Sequence, residues 1–114
     1  MARETLILEA LFERRARPPD DDAATLAVPA DDGTLILSTD ALEEGVHFRA
    51  GWLSIEDLAW KLLAVNLSDL AAMAAEPIGY LLAIAWPDSW PAADATRLGV
   101  ALEEAERAWQ CPLL

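Results

Sequence analysis

The chain has 114 residues, of which 54% are hydrophobic, and a formal net charge of −12. The length suits one domain, and the hydrophobic content is typical of a folded rather than a disordered protein. The negative charge argues against nucleic acid as a partner, because phosphate binding needs a basic surface. The single cysteine, Cys111, cannot form an internal disulfide, and no apolar run reaches the roughly 18 residues of a membrane-spanning helix. The sequence therefore predicts a cytoplasmic protein with no nucleic-acid or membrane partner.

The first part of the chain predicts one helix and then a hairpin. Residues 3–16 share an apolar face, as an amphipathic helix does. Residues 23–28 and 34–40 are two predicted strands, and the turn-forming run Pro29-Ala30-Asp31-Asp32-Gly33 separates them.

The pairing of this hairpin brings two carboxylates together. If Val28 faces Thr34 across the loop, Asp22 lies opposite Asp40, and like charges opposite one another destabilise a sheet. Fraying of the hairpin end, a raised pKa of one carboxyl group or a divalent cation between the two would each relieve the repulsion. The pairing alone leaves these alternatives open, since such a loop sets the register only loosely.

The second part predicts a helix, a buried strand and a further helix. The first helix spans about residues 55–75, with Ser54 as its N-cap and Asp57 three residues later, in the spacing of a capping box. Residues 78–86 form the predicted strand. Residues 91–109 form an amphipathic helix, whose buried side is Ala95, Leu98, Leu102, Ala105 and Trp109 and whose solvated side is Glu103, Glu104, Glu106 and Arg107.

The order of these elements predicts an α+β fold, a largely antiparallel sheet with helices packed on one face. The apolar run Cys111-Pro112-Leu113-Leu114 resembles the start of another strand. We therefore expect a truncated domain; a short docked tail is the alternative.

One segment of the second predicted helix combines apolar surroundings with an acid. Residues 62–73 are apolar on nearly every side, which predicts a buried helix, yet Asp69 lies in its middle. A buried carboxylate has to be neutralised, paired or bound to a cation. Lys61, on a similar face, is one candidate partner.

Three motifs follow one another in the chain: Asp21-Asp22, then Ser38-Thr39-Asp40 with Gly45-Val46-His47-Phe48, then Asn66-Leu67-Ser68-Asp69. In this order and at these distances they resemble the thiamine-monophosphate kinase family. Where that family usually has Met-Gly-Ala, this chain has Met73-Ala74-Ala75, and Ala74 places a Cβ where glycine permits a close approach.

The resemblance implies an enzyme that phosphorylates thiamine monophosphate to thiamine diphosphate with ATP and Mg²⁺, as a homodimer. The implied fold is similar to the N-terminal domain of aminoimidazole ribonucleotide synthetase. Residues 1–114 would be a truncated N-terminal domain for magnesium, ATP and dimerisation, with the C-terminal domain and the family's Gly-Gly-Asp motif absent, so we expect this chain alone to be inactive. The implied magnesium ligands are Asp22, Ser38, Thr39, Asp40 and Asp69, and the implied contact to thiamine monophosphate is His47.

Each of these residues also has an ordinary explanation. An acidic run is commonly a solvated turn, a lone histidine is commonly a surface or packed side chain, and Ser38 and Thr39 can be structural at a strand end. Two other functions stay open: a non-catalytic magnesium-binding dimerisation domain, and another ATP-dependent synthetase of the same superfamily.

Overall fold

The computed structural model describes residues 2–15, 26–27 and 33–114. Across these residues the chain forms three helices, α1 (Arg3–Phe12), α2 (Ile55–Ala72) and α3 (Asp94–Trp109). The three predicted helices are confirmed, although α1 and α2 end earlier than predicted and α3 begins later. Within the described ranges, no helix combines the length and the apolar character needed to cross a membrane.

Both ends of α2 have a clear local cause. At its start, the Ser54 side chain accepts a hydrogen bond of 3.0 Å from the backbone N–H of Asp57, so the predicted N-cap is confirmed. At its end, Ala74 donates to the carbonyl of Ala71, and Ala75 donates to the carbonyl of Leu70. This is the Schellman arrangement, and it places Ala74 in the left-handed region at φ 53°. The helix therefore ends at Ala72, before its predicted end at about residue 75.

Helix α3 packs between the other two helices and supplies more of the buried hydrophobic residues than either of them. Its predicted apolar face is confirmed, since Ala95, Leu102 and Ala105 are fully buried and Leu98 nearly so. At Gly99 the backbones of α1 and α3 approach so closely that a Cβ would collide with the carbonyl oxygen of Leu11. The larger core cluster joins all three helices and comprises Leu11, Ile55, Ala59, Ala95, Leu98, Ala101 and Leu102.

Helix α1 is fastened to the rest of the chain at both ends. At its start, the Arg3 guanidinium pairs with the Asp88 carboxylate at 2.8 Å. It also donates to three backbone carbonyl oxygens in the turn at residues 87–90. Just after its end, Arg15 pairs with Glu106 at 2.8 Å. The prediction that Glu106 is solvated is wrong, because this ion pair and the core around it leave the residue only 8% exposed.

Glu106 also fixes the chain after α3. Its carboxylate accepts a hydrogen bond of 2.7 Å from the backbone N–H of Leu113. Nearby, Tyr80 and Cys111 are buried in the second core cluster. Burial first, and the Glu106 carboxylate second, raise the pKa of the Tyr80 phenol and of the Cys111 thiol.

The prediction of a largely antiparallel sheet is wrong for the part of the chain that the structure describes. These residues contain no β-strand, and their strand-type pairing is limited to three isolated parallel bridges, one of which joins Tyr80 to Leu113. Residues 112–114 thus begin to pair as a strand would, through hydrogen bonds of 3.0 and 2.9 Å to the Tyr80 backbone. The first predicted strand, 23–28, lies outside the described residues except at 26–27.

Residues 78–86, the predicted buried strand, show a strand-like pattern of burial without forming a β-strand. Burial alternates along this segment, with Tyr80, Leu82, Ile84 and Trp86 packed on the core and residues 81, 83 and 85 exposed. A period of two is the pattern of a strand with one covered face. Here the cover is helical, and packing one face on helices requires no neighbouring strand.

Candidate functional site

The structure describes five of the six residues that the sequence singles out. Ser38, Thr39 and Asp40 are exposed and lie before α2, Asp69 is exposed on α2, and His47 is exposed in the turn between them. The remaining residue, Asp22, lies outside the described residues, as does the whole acidic run from Asp20 to Asp22.

Asp69 lies near the C-terminal end of α2. The prediction that its surroundings are buried is wrong. The buried residues of α2 are at positions 55–63, and the helix beyond them is partly or fully exposed. The carboxylate therefore keeps its contact with water, and burial does not require a cation there. Helix polarity acts instead: the C-terminal end of a helix carries partial negative charge, and the last turn of α2 contains no basic residue.

Two of the predicted residues meet. The Ser38 hydroxyl donates to the carboxylate of Asp69 across 3.3 Å, although the two residues are 31 positions apart in the chain. This distance is longer than a typical hydroxyl–carboxylate hydrogen bond, so the contact is loose. Both side chains are exposed, and their oxygens remain accessible to a ligand.

A complete metal cluster does not occur in the described ranges. No group of three or more histidine, cysteine, aspartate or glutamate side chains there is placed to hold a metal ion. The predicted three-aspartate cluster includes Asp22, which falls outside those ranges. The magnesium-binding role of the aspartates therefore stays a prediction.

His47 belongs to a compact turn that spans residues 43–48. The backbone N–H of His47 donates to the carbonyl of Glu43 at 2.9 Å, and that of Gly45 donates to the carbonyl of Phe48 at 2.7 Å. Gly45 adopts φ 84°, a conformation that glycine permits without strain. Phe48 is buried, with its ring centroid 6.1 Å from that of Trp90, and so it anchors the turn while His47 faces outward.

The His47 side chain and backbone each have a partner. The imidazole Nδ1 accepts a hydrogen bond of 3.0 Å from the backbone N–H of Glu43. The carbonyl oxygen of His47 accepts one of 2.8 Å from Nζ of Lys61 on α2. The sequence interpretation considered Lys61 only as a partner for a carboxylate, and the helical periodicity held no signal that it would reach a backbone carbonyl in the preceding turn.

Comparison with known proteins gives a consistent result. The sequence profile of the family described as AIR synthase related protein, N-terminal domain, matches residues 20–114. The chain is similar to the protein named thiamine-monophosphate kinase from Synechococcus elongatus, with 38% identity over 94 residues, covering 82% of this chain and 28% of that protein.

Two further proteins of the same name match a shorter part. The one from Caulobacter vibrioides is 53% identical over 68 residues, which is 59% of this chain and 18% of that protein. The one from Escherichia coli K12 is 52% identical over 68 residues, which is 60% of this chain and 20% of that protein. The chain thus spans less than a third of the length of these curated relatives. No solved structure gives a significant match.

Proposed function

The chain belongs to the family described as AIR synthase related protein, N-terminal domain, and we propose that it contributes part of the active site of a thiamine-monophosphate kinase. In the proposed reaction, a phosphate oxygen of thiamine monophosphate forms a bond to the γ-phosphorus of ATP. The bond from that phosphorus to the β–γ bridging oxygen breaks, and ADP leaves. The names of the matching relatives support this assignment.

The contact between Ser38 and Asp69 is the observation that carries the proposal. These residues come from two motifs that are distant in sequence, and the structure brings their oxygens to 3.3 Å from one another. Phosphoryl transfer depends mainly on positioning and on stabilising charge. An exposed pair of oxygens at the surface suits that task better than it suits the stability of the fold.

The chemistry of these residues fits a magnesium site. Magnesium takes oxygen ligands and commonly completes its shell with water and substrate phosphates. Carboxylates alone would repel anionic substrates, and a bound Mg²⁺ would supply the opposite charge. We propose that the ligands are Asp22, Ser38, Thr39, Asp40 and Asp69.

His47 is the proposed contact to thiamine monophosphate. Its side chain is exposed, and an imidazole N–H is a suitable donor to a phosphate oxygen. ATP as the second substrate, a homodimer and a cytoplasmic location complete the proposal, and their support is the family resemblance together with the single cysteine.

The test is turnover with matched variants. The complete product of the gene is mixed with ATP, Mg²⁺ and thiamine monophosphate, and thiamine diphosphate is measured by chromatography, in parallel with the 114-residue chain. We expect Asp69→Asn to lower turnover by more than about 100-fold, and Asp57→Asn at the other end of α2 to leave it near normal. Near-normal turnover of Asp69→Asn contradicts the role of Asp69. No thiamine diphosphate from the folded complete protein contradicts the proposed function.

A further inference from the structure

The turn at residues 43–48 determines the chemistry that His47 presents. Its Nδ1 accepts a hydrogen bond from the backbone N–H of Glu43, and a nitrogen that accepts has no proton of its own. A doubly protonated imidazole has no acceptor, so this geometry requires the neutral ring with its proton on Nε2. His47 therefore presents one N–H donor from an exposed ring, which is complementary to an acceptor such as a phosphate oxygen.

The position of that donor depends on a residue outside the turn. Nζ of Lys61 donates to the carbonyl oxygen of His47 at 2.8 Å, and no ion pair of Lys61 is found in the part of the chain that the structure describes. Lys61 precedes Asp69 by eight residues on α2, which is about 12 Å along a helix axis. The side chain thus ties the His47 turn to the helix that carries Asp69.

We propose that Lys61 is a positioning residue, which holds His47 at a fixed place relative to Asp69 so that Nε2–H binds the phosphate of the acceptor substrate. The identity of that substrate rests on the proposed function, whereas the tie between Lys61 and the turn does not. A surface lysine with no such role would leave the ring unchanged when it is replaced.

The first experiment uses the 114-residue chain and tests the hydrogen bond between Lys61 and the His47 turn. The sequence contains one histidine and one lysine, so imidazole ¹⁵N signals in an NMR spectrum belong to His47 without ambiguity. Because Nδ1 accepts from the Glu43 amide, we expect these signals to show Nε2 protonated and Nδ1 unprotonated. We also expect the Glu43 amide to exchange its hydrogen more slowly than exposed neighbouring amides, because Nδ1 accepts from it.

Replacement of Lys61 then separates position from charge. We expect Lys61→Met to speed exchange of the Glu43 amide by about tenfold, as for the loss of one charge-assisted hydrogen bond. Lys61→Arg keeps a charged donor and is expected to restore slow exchange. Arg107→Met is the control, because it removes the same charge at an exposed position on α3. We expect it to leave exchange of the Glu43 amide unchanged. Unchanged exchange and imidazole signals in Lys61→Met overturn the proposal.

The second experiment measures the consequence for the substrate. In the complete, active protein, we expect Lys61→Met to raise KM for thiamine monophosphate by about tenfold, with kcat and the KM for ATP within about twofold of the unmodified protein, and Lys61→Arg to restore KM. An equal rise in both KM values overturns the positioning role. If the NMR results hold but the unmodified protein makes no thiamine diphosphate, the proposed function fails while the tie between Lys61 and His47 stands.

Discussion

The two halves of α2 have a similar proportion of apolar residues and different surroundings. All four buried residues of the helix lie in its first half, at Ile55, Leu58, Ala59 and Leu63. The second half, residues 64–72, is also mostly apolar, with Asn66, Ser68 and Asp69 as its polar residues. It nevertheless contains no buried residue. An apolar sequence therefore indicates what a helix can bury, whereas neighbouring elements decide what is buried.

The proposed functional residue Asp69 lies in the exposed half of α2, and the other half belongs to the core. The first half is covered by α3 and joins the main core, and the second half carries Asp69 with its contact to Ser38. Reactive oxygens need access to substrates, so a helix can be anchored at one end and carry a site at the other. The predictions below begin with the largest expected effect, and those at Leu63 and Asp69 test this division.

Loss of a buried side chain in the first half has the largest expected effect. Leu63 is fully buried, and Leu63→Ala is expected to lower the free energy of unfolding by about 2–5 kcal/mol, through lost burial and a residual cavity. Met73, just past the second half, is 63% exposed, and Met73→Ala should change it by less than about 0.5 kcal/mol. Urea unfolding of both variants measures the difference, and similar losses in the two would contradict the division.

The contact between α1 and α3 gives the next largest effect. Alanine normally stabilises a helix over glycine by about 1 kcal/mol. At position 99 the added Cβ would meet the Leu11 carbonyl, a backbone atom, so Gly99→Ala is expected instead to lower the free energy of unfolding by about 1–3 kcal/mol. Glu104→Ala, at an exposed position of the same helix, is the control. Increased stability of Gly99→Ala in urea unfolding would show that the two helices are not in close contact.

A substitution just past the end of the second half is expected to raise the free energy of unfolding instead of lowering it. Ala74 adopts φ 53°, a conformation that costs residues with a Cβ about 1–2 kcal/mol. Ala74→Gly is therefore expected to raise the free energy of unfolding by up to about 1 kcal/mol, less than the full strain because glycine is more flexible when unfolded. Ala71→Gly, within the helix, should lower it instead. Thermal unfolding of both variants measures the direction of each change in stability. Lower stability in both variants would contradict the left-handed conformation of Ala74.

Much of the helical structure could be predicted from the sequence because its causes are local. The hydroxyl at Ser54 caps α2, and a repeat of apolar residues matches the face of α3 that is buried. The departure at Ala74 from the family's glycine is visible in the sequence too, and the structure supplies its physical meaning, a left-handed residue directly after the C-cap of α2. Each of these features depends on a few neighbouring residues.

The errors concern contacts between distant parts of the chain. The apolar run at residues 78–86 does not reveal whether strands or helices cover it, and helix periodicity does not show that Arg15 neutralises Glu106. For the candidate site, the motifs only predict which residues take part, and neither the exposure of Asp69 nor the reach of Lys61 to His47 has a local signal. Such contacts follow from how the elements pack, which sequence periodicity does not specify.

The charge of Asp69 gives the smallest expected effect on stability and the one closest to the proposed site. An exposed carboxylate in the last turn of a helix faces the partial negative charge of that end, so Asp69→Asn is expected to raise the free energy of unfolding by about 0.3–1 kcal/mol. Asp57 lies in the first turn, where the charge is favourable, and Asp57→Asn should lower it by a similar amount. Urea unfolding at low ionic strength measures both, and added salt should reduce both differences. Destabilisation by Asp69→Asn would mean that the carboxylate supports the fold, whereas a gain in stability with a loss of turnover would mean that it is kept for its role at the site.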